Sequence, residues 1–119
     1  MITATIVGNV GKKPEAKTTK TGKLMCRFGV ASTKKSEGRE PVTSWVNVLC
    51  FDEQAEQVQD RVNQGDRVMV TGRLEVEKYS ADDGTERTSV TLLADDIGLS
   101  LRFAPKGQRQ ADDSFKDPF

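Results

Sequence analysis

Trp45 and Phe51 stand six residues apart in the stretch TSWVNVLCF. At the two-residue period of a strand both fall on one side, with Asn47 and Leu49 between them, while Val46, Val48 and Cys50 take the other. The second set makes an ordinary core face, so two large rings are left on a side that folding does not require. Tyr79 ends another alternating stretch, RVMVTGRLEVEKY, in which Val68, Val70, Leu74 and Val76 face inward and Arg73, Glu75 and Glu77 share the tyrosine's side. Cations accompany the rings. Arg27 projects opposite Leu24, Cys26, Phe28 and Val30, Lys12 and Lys13 precede Pro14, and Lys34 and Lys35 begin the polar loop before Pro41. Flat rings interleaved with cations suit a single-stranded nucleic acid, whose bases expose their faces and whose backbone is a polyanion; each stacked base is worth about 1–3 kcal/mol whatever its identity. The competing reading is that Trp45 and Phe51 fill a second core or a subunit interface, where large aromatics are commonly found.

Other chemistries find less support. Asp82-Asp83 lies in a turn, and Asp95-Asp96 are strand neighbours that point to opposite faces, so neither pair forms a catalytic couple. No nucleophile–base constellation accompanies them, and no reaction is expected. Cys26 and Cys50 with no histidine in the chain make no recognisable zinc site. Both thiols fall in apolar strands and read as small core residues. No cofactor and no metal are expected.

The elements that must carry these residues are mostly strands. TATIVGNV is short and β-branched and stops at Gly11. EAKTTKTGKLMCRFGVAS reads as two strands around a Thr21-Gly22 turn, and SADDGT as a hairpin turn on Asp83-Gly84. ERTSVTLLA and IGLSLRF read as two further strands, the latter placing Ile97, Leu99, Leu101 and Phe103 on one side; Phe28 and Phe103 are assigned to the core. One helix follows Phe51. Asp52 is its expected cap, Ala55, Val58 and Val62 its apolar stripe, and Gly65 its stop. Antiparallel strands interrupted once by a helix fit a small closed barrel better than a sandwich, and a helix after the third long strand is where an OB-fold interrupts its barrel. The predicted class is all-β with one helix: a five-stranded antiparallel Greek-key OB barrel over residues 1–103. Residues 104–119 are too polar to fold alone and read as a flexible acidic tail.

A chain of 119 residues allows one compact domain. Its zero net charge hides a segregation. Residues 1–43 carry nine cations (Lys12, Lys13, Lys17, Lys20, Lys23, Arg27, Lys34, Lys35, Arg39) against Glu15, Glu37 and Glu40, whereas residues 44–104 carry six cations and twelve anions. A basic face able to meet a polyanion is one consequence; dispersal of the charges on folding is the other. No apolar run approaches the roughly 20 residues of a membrane span, and MITATIVGNVG lacks the basic start of a signal peptide, so a cytoplasmic location is expected.

In order and spacing, TIVGNVGKKPEAKTTKTGK, FGVAS, SWVNVLCFDEQAEQV, QGDRVMVTGRLEVEKY and DDG resemble the bacterial single-stranded-DNA-binding protein family over nearly all of residues 1–103. The ending DDSFKDPF is similar to that family's aspartates followed by a hydrophobic residue, Pro and Phe. The resemblance implies DNA-stacking roles for Trp45, Phe51 and Tyr79, the last standing where Trp is common. An aromatic frequent in the loop after FGVAS is missing from TKKSEGRE, where Lys34 and Lys35 offer charge instead. It also implies coating of single-stranded DNA in replication, recombination and repair, a homotetramer, and a location at the nucleoid. Partner proteins would dock on Asp112, Asp113, Asp117, Pro118 and Phe119. The rival readings are a primosomal-type OB-fold adaptor acting through protein contacts and an RNA-binding OB module.

Overall fold

The computed structural model describes residues 1–102. Its elements are β1 (Ile2–Val10), β2 (Glu15–Thr18), β3 (Leu24–Lys34), β4 (Val42–Phe51), α1 (Asp52–Arg61), β5 (Arg67–Ser80) and β6 (Glu86–Leu99). Five strands close on themselves: β1 pairs with β5, β5 with β6, β6 with β4, β4 with β3, and β3 returns to β1 at Asn9↔Ala31 and Val10↔Val30. The β4–β6 contact is parallel over Asn47–Leu49 and Thr91–Leu93, and all other pairs are antiparallel. This is the expected OB barrel with one helix. β2 is a short sixth strand, and it shares one edge of β3 with β1: β2 takes Leu24–Arg27 and β1 takes Val30–Ala31. Gly8 is required where β1 meets β3, because a Cβ there would collide with the Ala31 carbonyl.

Alternation fills the interior. Val10, Cys26, Phe28, Val30, Val48, Cys50, Val68, Val70 and Leu92 are buried, and Ala55, Val58 and Val62 of the helical segment join the same cluster. Fully burying each valine or leucine is worth roughly 1.5–3 kcal/mol, so these positions hold the barrel shut. Both thiols lie inside this core, on directly opposed residues of β3 and β4. Burial raises both, Cys50 to about 12 with the neighbouring Cys26 adding to the effect.

Five local expectations need correction, the first being Val76, expected to face inward but 52% exposed. ERTSVTLLA and IGLSLRF form one strand. Thr71 pairs with Asp96 and Gly72 with Ala94, so Asp95 is an extra residue that reverses the alternation midway, and the phase break in the sequence is a bulge. Leu101 does not continue the inner face: it lies in a turn after β6 and is 85% exposed. Phe103 lies outside the described residues. Asp52 does not cap α1; Phe51 holds the extended cap position without a side-chain bond, and Asp52 is the first helical residue. Gly65 does not end the helix. The last helical residue is Arg61, Val62 follows in extended conformation, and Gly65, at a φ of 86°, instead turns the chain so that its N–H reaches the Val10 carbonyl at 2.8 Å. The turn expectations hold: Gly22 and Gly84 both adopt positive φ, and the Asp83 carboxylate accepts bonds from the Thr85 N–H and hydroxyl.

Candidate nucleic-acid interface

The outer face of β3 and β4 forms a lattice set by register. Lys17, Met25 and Phe51 stand in one row, Glu15, Arg27 and Leu49 in the next, then Gly29 and Asn47, then Ala31 and Trp45. The segment between β1 and β2 rises beside this face and makes the wall of an open groove of about 820 Å³. Trp45, Asn47, Arg27 and Lys12, all chosen from sequence, line it together.

Trp45 is 59% exposed, far above what a ring in a core would show. It rests on glycine. A Cβ on Gly11 would stand 2.7 Å from the indole Cζ3 and 2.9 Å from Cη2, and one on Gly29 would be 3.4 Å from Cε3. The two glycines are joined by a 3.0 Å bond from the Gly11 N–H to the Gly29 carbonyl. The indole is thus seated against backbone on one side and open to solvent on the other, the arrangement a stacking platform needs. Asn47 donates to the Val90 carbonyl at 3.4 Å, which ties the groove floor to β6.

α1 fixes the groove wall. The Lys13 ammonium donates to the Gln59 and Val62 carbonyls at 2.7 Å each and to Asn63 Oδ1 at 3.2 Å. A cation at the carbonyl end of a helix satisfies groups the helix leaves unbonded and suits its dipole. The Ala16 N–H donates to Gln59 Oε1, and Gln64 Nε2 to the Gly11 carbonyl. Lys13 lines the groove, but its charge serves as a clamp.

The remaining sequence candidates are spread out. Phe51 adjoins the groove through its register partner Met25, at the opposite end of β4 from Trp45. Arg73 and the half-exposed Tyr79 lie on the outer face of β5, which β6 separates from β4. Lys34 is exposed near the tip of the β3–β4 arm, and alternation puts it on the side of Val30, opposite Arg27; Lys35 is exposed just beyond. Asp112, Asp113, Asp117, Pro118 and Phe119 lie outside the described residues. Sequence reasoning passed over Lys17, Met25, Glu15, Gly11 and Gly29. Gly11, Gly29, Glu15 and Lys17 stood in recognised segments, but Glu15, Lys17 and Met25 become neighbours of the site only through the β2–β3 register, and Gly29 only through its β4 neighbours and its bond to Gly11.

Among the described residues no cluster of His, Cys, Asp or Glu could hold a metal ion, and no helix is long and apolar enough to cross a membrane. Residues 1–100 match the single-strand binding protein family. The chain is 34% identical over 108 residues to a single-stranded DNA-binding protein of Paenarthrobacter aurescens, covering 86% of this chain and 63% of that protein. It is 36% identical to the one from Mycobacterium leprae, covering 86% and 64%. It therefore spans a little under two thirds of the length of these relatives. The crystal structure of a small single-stranded DNA-binding protein from Streptomyces coelicolor superposes with a TM-score of 0.70 at 28% identity, covering 87% of this chain and 96% of that one. An OB barrel carrying a seated, exposed tryptophan in a basic groove agrees with these matches: the chain belongs to the single-strand binding protein family.

Proposed function

We propose that the chain binds single-stranded DNA without sequence preference, with no reaction and no cofactor. The observation that carries this reading is Trp45, held on a two-glycine floor with one side open in a groove that Arg27, Lys12 and Lys17 make basic. One base stacks on the indole while the cations take the flanking phosphates, and the strand continues past Met25 to Phe51. Stacking accepts any base, since every base has a π-face. Arg73 and Tyr79 on β5, and Lys34 and Lys35 on the arm, extend the contact if DNA wraps beyond the groove. Trp45 is the sole tryptophan, so its emission reports directly: saturating oligo-dT quenches it, and a matched RNA binds more weakly. Emission indifferent to oligo-dT refutes the reading.

Two extensions are part of the proposal. Residues Ile2–Gly8 of β1 pair with β5 along one edge, and among the described residues no strand occupies the other. An open edge of this length supports pairing between subunits in a homotetramer, which mass measurement in solution tests. The acidic ending at Asp112, Asp113, Asp117, Pro118 and Phe119 is proposed to dock on replication and repair proteins, with Phe119 in an apolar pocket and the carboxylates on a basic rim. Deleting Asp117–Phe119 then abolishes capture of those proteins and leaves oligo-dT affinity equal or slightly higher.

A further inference from the structure

Phe51 is not a bare ring. The Lys23 ammonium lies 4.7 Å from its centroid, inside the roughly 6 Å range over which a cation is held by the negative face of an aromatic ring. The same ammonium is 3.8 Å from Asp52 Oδ2. Lys23 comes from the turn entering β3, and Asp52 directly follows the ring, so three residues from two segments meet at one end of the outer face.

Asp52 is unusual in its backbone. At a φ of 57° it is the one non-glycine residue with positive φ among those described. Glycine occupies that region freely, whereas a residue with a Cβ is strained there, aspartate and asparagine least among them. A carboxylate therefore stands where glycine would relieve the backbone, and the contact the structure gives it is Lys23. Both side chains are more than half exposed, so the pair is weak and readily exchanged.

We propose that Lys23 is a strand-binding residue held in reserve: Asp52 parks its ammonium on the Phe51 ring in the free protein, and a backbone phosphate of single-stranded DNA replaces Asp52 as its partner when a base takes the ring. This deepens the proposed function and rests on it. In this proposal the base takes the ring face that the ammonium covers, so stacking there displaces the ammonium. The flexible lysine stem lets the charge swing outward without moving β3. Its destination is close to the course of the strand, since Phe51 shares its row with Met25 and Lys17, both of which line the groove. Asp52 is then a weak internal competitor with the phosphate. It keeps the ring covered when no strand is present and lowers the affinity when one is.

Oligo-dT titrations over a range of NaCl concentrations, with the wild type, Asp52→Asn and Lys23→Gln, test this. Asparagine tolerates positive φ, so Asp52→Asn removes the charge and keeps the backbone; an unaltered melting temperature confirms it. At low salt Asp52→Asn binds about two- to five-fold tighter, the scale of one exposed ion pair, and the gain fades as salt rises. Lys23→Gln binds more weakly, and its log–log salt slope is shallower by about 0.7, the value for one fewer phosphate neutralised on a single strand. An unchanged or reduced affinity in Asp52→Asn overturns the proposal. So does an unchanged slope or tighter binding in Lys23→Gln, which would make the ammonium a mere cover. Wild-type quenching of Trp45 by the same oligo-dT separates the two levels: quenching with unresponsive variants refutes only the Lys23 exchange, and no binding at all refutes both.

Discussion

Adding one methyl group at Gly11 should weaken DNA binding without weakening the fold. In Gly11→Ala the new carbon would lie 2.7 and 2.9 Å from two carbons of the Trp45 indole. Carbon atoms in contact settle at about 3.5–4.0 Å, so the ring edge must recede by roughly 1 Å. Both atoms are at the far end of the side chain, where that displacement is a tilt on the order of 10°, well inside the ~30° departure that costs 0.5–1.5 kcal/mol. The backbone asks for nothing, because Gly11 is not among the glycines with positive φ, and alanine restricts the unfolded chain by an amount worth about 0.4–1 kcal/mol. The melting temperature should therefore hold or rise slightly. A base stacked on the tilted ring can no longer keep its phosphates on Arg27 and Lys12, and part of the roughly 1–3 kcal/mol of one stack disappears. We expect a weakening of about 1 kcal/mol, or roughly five-fold in Kd. Fluorescence anisotropy with labelled oligo-dT on Gly11→Ala, Trp45→Ala and the double variant measures it. Once the indole is gone, the Gly11 substitution should have no further effect. A weakening that persists at full size in the Trp45→Ala background refutes the seat and assigns Gly11 another role.

Other parts of the molecule give further expected outcomes. Lys13→Met leaves the carbonyls at the end of α1 without their ammonium and should lower stability by about 1–2 kcal/mol in urea denaturation, an effect absent if the clamp is ornamental. Arg27→Gln should make the salt dependence of oligo-dT binding shallower by about 0.7, while Lys34→Gln, on the opposite side of β3, should change it less; the reverse order would move the DNA path to the arm. Native Cys26 and Cys50 should resist a thiol reagent at pH 8 and react fully after unfolding, since burial suppresses both thiolates; rapid native labelling would contradict their packing. Bonds from the Thr85 hydroxyl and N–H hold the Asp83 carboxyl below its ordinary 3.8, so its contribution is present above that value and lost as pH falls through the depressed one. Protection of the Thr85 amide, its exchange rate relative to that of an unstructured amide at the same pH, should thus be lost only below about pH 4, and its absence at neutral pH would refute the turn's reliance on that carboxylate.

Much of the barrel was legible because alternation reports which residues face inward, and the inner sides of β3, β4 and β5 follow it over most of their length. It failed where one residue was added. Asp95 shifts the phase of β6, so the sequence reads as two strands where one bulged strand exists. Alternation also overreached at Val76, which keeps the inner parity of β5 but is 52% exposed, because the β5–β6 hairpin runs on past the barrel. Trp45, Asn47, Arg27 and Lys12 could be chosen from residue type and side. Lys17 and Met25 could not, because their place beside Arg27 and Phe51 depends on register across three strands. The Lys23–Phe51–Asp52 contact was hidden for another reason. Asp before a helical stripe has the statistics of a cap, and only the backbone angle reveals that this one does something else.

The shared edge of β3 has a mechanical meaning. Along that edge the barrel wall changes hands, from β1 at Val30–Ala31 to β2 at Leu24–Arg27, and between the two the wall is fastened by the single bond from Gly11 to the Gly29 carbonyl. The indole of Trp45 lies across this seam. On the proposed reading, a strand stacked there and anchored to Lys12 on one side and Arg27 on the other would work as a stitch, resisting the opening of the wall at this seam. Binding energy gained outside the barrel is thereby returned as resistance to local unfolding within it, and bare protein and coated protein should differ in how readily this one stretch breathes.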